Sequence, residues 1–254
     1  MQIELPSASA GKAGGIAAEV EAACFADMRD LTVSEARALI RAGRYQGHTA
    51  GIAMGYLQGN VIILPEAYAL DFFRYCQRNP KPCPLVGVTD TGSPMLPTLG
   101  RDIDIRTDVP HYRVYRHGSL MEDRADIREL WRDDFVAFVL GCSFTFENAL
   151  MHEGIAIRHI KENKTVPMYH TGVPTVPAGP FDGNMVMTMR PMKVSDAIRA
   201  SAITARYAHA HGEPMHLGDP GAIGIADLNR PQWGDPVAVA DDEVPVFWPC
   251  GVTP

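Results

Sequence analysis

Residues 135–150 read Phe-Val-Ala-Phe-Val-Leu-Gly-Cys-Ser-Phe-Thr-Phe-Glu-Asn-Ala-Leu, and this stretch decides how the middle of the chain folds. Its first six residues form an unbroken apolar run of β-branched and aromatic side chains, which predicts a strand buried on both faces. Gly141 ends the run. Ser143 or Thr145 can then cap a helix that has Glu147 in its first turn. The stretch therefore predicts a strand, a tight turn and a helix.

The turn between that strand and helix carries reactive groups. A thiol (Cys142), a hydroxyl (Ser143) and free backbone N–H groups meet there, and in open α/β sheets ligands bind at such turns. A helix N-terminus also favours a thiolate. We therefore predict catalytic roles for Cys142, Ser143 and Glu147. The competing interpretation is an inert, buried thiol, because free cysteine is among the most buried residue types.

The rest of the chain alternates between helical and extended patterns. Thr32 and Glu35 have the spacing of a capping box and predict a helix that ends at Gly43. Further apolar runs predict strands, and residues 65–78 and about 123–132 are predicted helices. Strands and helices intermix without strict βαβ alternation. The predicted fold class is α/β, with a mixed sheet, flanking helices and a smaller α+β lobe.

Length and composition indicate a globular protein. The chain has 254 residues, of which 46% are hydrophobic and 21% are charged, enough to bury a sizeable core. Residues 1–30 are predicted to form a flexible N-terminal tail and the start of a helix. Residues 31–254 are predicted to form one catalytic unit of two intimately joined α/β lobes. The second lobe comes mainly from about 105–215.

Charge and cysteine usage exclude several classes of partner. The net charge is −7 and no run of Lys or Arg stands out, so nucleic acid and membrane are poor partners. No apolar stretch is long enough to span a bilayer, and the first residues lack the pattern of a signal peptide. The five cysteines are scattered, with no Cys-x-x-Cys pair, so we expect a reduced cytoplasmic protein without a structural zinc. The sequence is compatible with a homo-oligomer.

Two further side chains stand at ends of predicted strands. Arg190 is either a surface charge or a clamp for a substrate carboxylate, whose geometry its planar fork suits. Asp219 precedes Pro220 and either aims a carboxylate into a cleft or caps the following turn. The histidines at 209, 211 and 216 lack the spacing of a zinc hydrolase, so no metal and no cofactor are predicted.

Several short sequence segments together resemble those of one family, the D-glutamate cyclase family of hydro-lyases. They run in order from about residue 35 to the C-terminus. The segments are Thr-Ala-Gly at 49–51, Gly-Tyr-Leu-Gln at 55–58, Cys-Gln-Arg-Asn-Pro-Lys-Pro-Cys-Pro at 76–84, Gly-Cys-Ser-Phe at 141–144, Val-Pro-Met-Tyr at 166–169, Met-Arg-Pro at 189–191, His at 216 with Gly-Asp-Pro at 218–220, and Trp-Pro-Cys-Gly-Val-Thr-Pro at 248–254. The chain departs from the family pattern at Gly59, Gly172 and Asn184.

The resemblance implies a carbon–oxygen lyase that expels water from a small amino or hydroxy acid, as in closure of D-glutamate to 5-oxo-D-proline. Such a closure needs a general base, an acid and donors for a tetrahedral oxyanion. The N–H groups after Gly141 are expected to form the oxyanion site. Glu147 or Asp219, with a pKa raised by burial, is expected to shuttle the proton. The expected substrate-binding residues are Tyr169, Thr171, Arg190, His216 and Asn60.

Two alternatives remain beside this hypothesis. One is a hydratase or dehydratase of another small carboxylic acid, and the other is a non-catalytic small-acid binding protein. A covalent thioester at Cys142 is the weaker mechanism, because a carboxylate acylates poorly. In every case we predict one cleft, where the loop after Leu140 meets the 169–172 loop and the turn at Asp219.

Overall fold

The structure is a computed structural model that describes residues 22–254, so most of the predicted N-terminal tail lies outside the described residues. The described part mixes α and β structure, as the sequence predicts. Its α-helices are α1 (Phe25–Met28), α2 (Val33–Arg41), α3 (Glu66–Arg78), α4 (Phe144–His152), α5 (Arg158–Lys161) and α6 (Val194–Thr204). Its strands are β1 (Gly59–Pro65), β2 (Leu85–Val88), β3 (Tyr112–Arg116), β4 (Ser119–Arg124), β5 (Phe135–Gly141), β6 (Met168–Pro174), β7 (Asn184–Lys193), β8 (His216–Leu217) and β9 (Glu243–Pro249).

The strands form two sheets and a separate hairpin. The first sheet has the order β1-β5-β2 and the second the order β6-β7-β9-β8, while β3 pairs with β4. Every strand pair in the described part of the chain is antiparallel. Neighbouring antiparallel strands run in opposite directions, so their carboxyl ends lie at opposite edges of a sheet.

The predicted central strand is confirmed as β5, and both of its faces are covered. Phe138 and Leu140 pack with Phe72 of α3 on one face. Ala137 and Val139 pack with residues of the 96–105 segment on the other. A strand buried on both faces needs an apolar side chain at every position, which explains the unbroken run.

The second sheet buries two different kinds of side chain on its two faces. Met187 and Met189 of β7 lie in a core with Tyr169 and Phe247. The alternate positions of β7 and β9 face the other way, where Trp248 packs against Phe146 of α4. This alternation follows from the two-residue period of a strand. Arg190 lies on the second of these faces.

The helix predicted near 123–132 is wrong. The chain instead makes the hairpin β3–β4 and a single 3₁₀ turn, Arg128–Leu130. His117 and Gly118 join the two strands with φ angles of 51° and 78°. Two consecutive left-handed residues form the turn type that matches the twist of a hairpin. Elsewhere, no helix within residues 22–254 has the length and apolar character required to cross a membrane.

Candidate functional site

The site is built around the start of α4, which follows directly on β5. Gly141 lies against the backbone carbonyl of His209, so closely that a Cβ there would overlap it. Only glycine allows this approach. Ser143 is the N-cap residue of α4, but its side chain makes no capping bond. Its hydroxyl instead accepts a hydrogen bond from Arg190 Nη2 at 3.0 Å.

Glu147 and Arg190 form an ion pair in the protein interior. Arg190 Nε and Nη2 both donate to Glu147 Oε1, at 3.0 and 2.5 Å. Each residue is only 1% exposed. The pair joins α4 to β7, because Glu147 comes from the first turn of the helix and Arg190 from the strand beneath it. The structure thus brings Ser143, Glu147 and Arg190 into one network.

The guanidinium of Arg190 contacts further hydrogen-bond acceptors and two aromatic rings. Its Nη1 donates to Thr188 Oγ1 at 3.1 Å, and its guanidinium carbon lies 5.2 and 5.4 Å from the ring centroids of Phe146 and Trp248. Four of its five N–H groups therefore have acceptors in the protein. A bidentate clamp on a substrate carboxylate would need two N–H groups, and only one remains.

The two carboxylate oxygens of Glu147 differ in their contacts. Burial opposes its ionisation, but Arg190 and His159 outweigh burial and lower its pKa below the usual 4.5. This corrects the expectation of a raised pKa. His159 Nε2 of α5 lies 3.1 Å from Oε1, at an angle that does not make a hydrogen bond. Within the described residues, the other oxygen, Oε2, is buried without a hydrogen-bond partner.

Cys142 lies beside this network and is a thiol. Burial, with a smaller contribution from Cys250, raises its pKa to about 12. The expected thiolate at the helix N-terminus is therefore not formed. The Gly141 N–H donates to the Pro84 carbonyl and the Cys142 N–H to the Gln58 carbonyl, so neither of these two groups is free to hold an oxyanion.

His211 follows the 3₁₀ turn Ala208–Ala210 with a left-handed φ of 80°. Its Nδ1 lies 2.7 Å from the Lys81 carbonyl oxygen, and its Nε2 is buried with no partner among the described residues. Burial lowers the pKa of His211 to about 4, and the charge of Arg190 adds to this. The ring is therefore neutral near pH 7 and belongs to the same polar interior as Arg190.

Asn60 approaches the site from the neighbouring strand. It pairs with Leu140 across β1 and β5, two residues before Cys142. Its Oδ1 is buried without a partner among residues 22–254 and lies against Gly251, where a Cβ would be 2.7 Å away. The segment after β9 therefore packs on the turn that starts α4.

The segment before β1 covers α4 from the other side. Gln58 N–H donates to Thr145 Oγ1 at 3.0 Å, and its side-chain amide holds the carbonyls of Thr49 and Ile52. Burial lowers the pKa of His48, on which the charges of His159 and Glu147 also act. The carboxylate of Glu147 in α4 is closed off from solvent, with only 1% of the residue exposed.

The other expected site residues lie apart from Glu147 and Arg190. Tyr169 pairs with Met187 and belongs to the opposite face of the sheet, where its hydroxyl donates to the Leu228 carbonyl. His216 stacks at 5.7 Å on Phe247, on that same opposite face. The prediction of one cleft for all of these residues is therefore wrong, because strand alternation separates them.

Thr171 and Asp219 are engaged in local hydrogen bonds. Thr171 Oγ1 donates to the Met185 carbonyl at 2.7 Å. Asp219 is exposed and caps the 3₁₀ turn Pro220–Ile223, where its carboxylate accepts from Gly221 N–H at 2.9 Å. This cap is the alternative that the Asp-Pro pattern leaves open.

Three histidines at the site carry no sequence signal strong enough to predict them. His159 lies on a four-residue helix, too short for a periodic pattern. His48 lies in a loop, and His211 stands out only in a metal interpretation that its spacing disfavours. Within residues 22–254, no three His, Cys, Asp or Glu side chains are grouped so that they could hold a metal ion.

Comparison with known proteins shows that this chain is similar to the members of one family. Residues 136–254 match the family model described as D-glutamate cyclase. Proteins named "Putative hydro-lyase" are similar over most of their length. The one from Verminephrobacter eiseniae is 60% identical over 240 residues, which cover 94% of this chain and 86% of that protein. That from Dinoroseobacter shibae is 59% identical, covering 92% and 78%, and that from a Jannaschia species is 62% identical, covering 86% and 82%.

Proposed function

Because the chain belongs to the D-glutamate cyclase family of hydro-lyases, we propose that it closes D-glutamate to 5-oxo-D-proline with loss of water. The observation that carries the proposal is the buried carboxylate of Glu147, which has one oxygen fixed by Arg190 and the other without a partner among residues 22–254. A fixed, desolvated carboxylate with a free oxygen is suited to move a proton at a bound substrate.

The proposed reaction balances without any other reactant. The amine nitrogen of the substrate bonds to the side-chain carboxyl carbon, and one carbon–oxygen bond of that carboxyl breaks. Two protons leave the ammonium group, and they depart with the oxygen as water. Glu147 Oε2 accepts the two protons in turn and returns each to the departing oxygen, so that one residue serves as base and then as acid in each transfer.

Arg190 and Ser143 act on Glu147 rather than on the reacting atoms. The guanidinium keeps Glu147 ionised and fixes Oε1, so that Oε2 is the oxygen that faces the substrate. The remaining N–H of Arg190 Nη1 can donate one hydrogen bond to a substrate carboxylate. Preorganised groups in a water-excluded interior interact more strongly than the same groups would in water.

The proposal is tested by incubating the purified protein with D-glutamate, L-glutamate and a panel of small hydroxy acids. We expect 5-oxo-D-proline from D-glutamate, detected by chiral chromatography. Glu147→Gln should lower the rate by about 100-fold or more, as expected on loss of general acid–base catalysis. Glu129→Gln is the matched control, because Glu129 is an exposed residue of the 3₁₀ turn Arg128–Leu130, outside the network of Ser143, Glu147 and Arg190.

Other outcomes of this experiment would indicate a different function. Loss of water from a hydroxy acid, without lactam from D-glutamate, would favour a dehydratase of another carboxylic acid. Thermal stabilisation by these acids without turnover of any of them would favour a binding protein. Both results would contradict the proposed cyclisation.

A further inference from the structure

Among the buried side-chain atoms of residues 22–254 that have no hydrogen-bond partner, Glu147 Oε2 and His211 Nε2 are both hydrogen-bond acceptors. Glu147 Oε2 belongs to an ionised carboxylate, which can only accept. His211 Nε2 is the second atom. Its Nδ1 lies 2.7 Å from the Lys81 carbonyl oxygen, which also can only accept. Nδ1 therefore carries the proton in the neutral ring, and Nε2 presents a lone pair.

The two acceptors lie in the same interior. Ala210, next to His211, is in the core cluster that contains Phe146 and Trp248, the two rings against Arg190. The charge of Arg190, which holds Glu147, also acts on His211. The backbone just before Ala210 packs on Gly141, at the turn into α4. The segment that carries His211 thus packs on the turn into α4.

Buried acceptors without donors are costly, so native proteins pair them with a protein donor, an ordered water or a ligand group. A substrate hydroxyl brings one donor. An ammonium group brings three donors and a positive charge, and it can satisfy a carboxylate oxygen and an imidazole nitrogen together.

We propose that His211 is a specificity-determining residue, which receives the substrate ammonium group together with Glu147 and so selects amino acids over hydroxy acids. This inference rests on the proposed function for the assumption that the substrate is a small acid. It adds a role for a residue that the reaction scheme above does not use.

The test measures binding without turnover. D-norvaline and D-2-hydroxyvalerate have equal chain length, and neither has the side-chain carboxyl that lactam closure requires. Their dissociation constants are obtained by NMR titration of the full chain. We expect the wild-type protein to bind the amino acid more tightly than the hydroxy acid by about tenfold or more, the usual value of a hydrogen bond to a charged group.

His211→Asn is the variant that removes Nε2 and retains the fold. Asparagine tolerates a left-handed φ, and its amide N–H can replace Nδ1–H toward the Lys81 carbonyl. In this variant the preference for the amino acid should fall by about tenfold. His209→Asn, at an exposed side chain two residues earlier, should retain the wild-type preference.

The inference is overturned if the wild-type protein shows no preference for D-norvaline, or if His211→Asn retains the wild-type preference. A merely structural role of His211 would weaken both ligands equally and leave their ratio unchanged. The result is separable from the proposed function. A preference without lactam formation contradicts only the cyclisation, and lactam formation with an unchanged ratio contradicts only the role of His211.

Discussion

Glu147 and Arg190 meet across 43 residues of sequence, and both donor atoms of the guanidinium that reach the carboxylate contact the same oxygen. This one-sided pairing has two consequences. It ties the first turn of α4 to β7, and it leaves Oε2 available inside a closed interior. The stability and the chemistry of this protein therefore depend on the same pair.

The first prediction concerns the stability of that pair. Arg190→Met should lower the free energy of unfolding by about 3–5 kcal/mol, because it leaves the Glu147 charge buried without its partner. Glu147→Leu combined with Arg190→Met should be more stable than Arg190→Met alone, since no isolated charge remains. Urea unfolding of the four proteins of this double-mutant cycle measures both effects. Strictly additive losses would show that the two side chains do not interact.

The second prediction concerns acid stability. The pKa of Glu147 is lower in the folded protein than its usual 4.5, so its ionised form stabilises the fold at pH values above about 4.5. This stabilisation is lost as the pH falls through the folded pKa. The stability difference between wild-type protein and Glu147→Gln should therefore be constant near neutral pH and shrink in acid. Urea unfolding at several pH values checks this, and a difference that grows in acid would contradict the lowered pKa.

The third prediction separates non-covalent from covalent use of Cys142. With a thiol pKa of about 12, Cys142 stays protonated near pH 7, so Cys142→Ser should keep turnover within about tenfold of the wild type. Iodoacetamide should modify the exposed Cys24 before Cys142. A folded Cys142→Ser protein without turnover, with an acyl adduct trapped on the wild type by mass spectrometry, would establish the thioester.

The fourth prediction concerns the turn into α4. A methyl group at Gly141 would overlap the His209 carbonyl, so Gly141→Ala should lower the free energy of unfolding by about 1–3 kcal/mol. Gly172→Ala is the matched control. Its added Cβ would meet its nearest neighbours at an ordinary 3.8 Å, and its change should stay within about 0.5 kcal/mol. Equal stability of the two variants would contradict the close approach.

The sequence predicts the local parts of this site well. The apolar run before Gly141 specifies β5, and the position of Glu147 in the first turn of α4 follows from the same stretch. Strand alternation alone also shows that Arg190 and Met189 face opposite ways. These properties depend on neighbours in sequence, so composition and spacing carry them.

The long-range parts of the site could not be predicted, for physical reasons. The bond between Glu147 and Arg190 depends on how α4 packs on β7, which no local pattern encodes. Tyr169 and His216 are predicted site residues because they lie in segments that resemble the family. Their strand register nevertheless turns them to the face of the sheet opposite to Arg190. His159 and His211 lie on single turns, where neither periodicity nor capping identifies a functional side chain.

The most direct test of the central claim is a crystal structure of the wild-type protein with 5-oxo-D-proline. The account predicts that the lactam lies between α4 and the His211 segment, with its ring nitrogen within hydrogen-bond distance of Glu147 Oε2. The 45–58 segment should be closed over it. A lactam bound instead beside Tyr169 and His216, on the opposite face of the sheet, would contradict the assignment of Glu147 as the catalytic carboxylate.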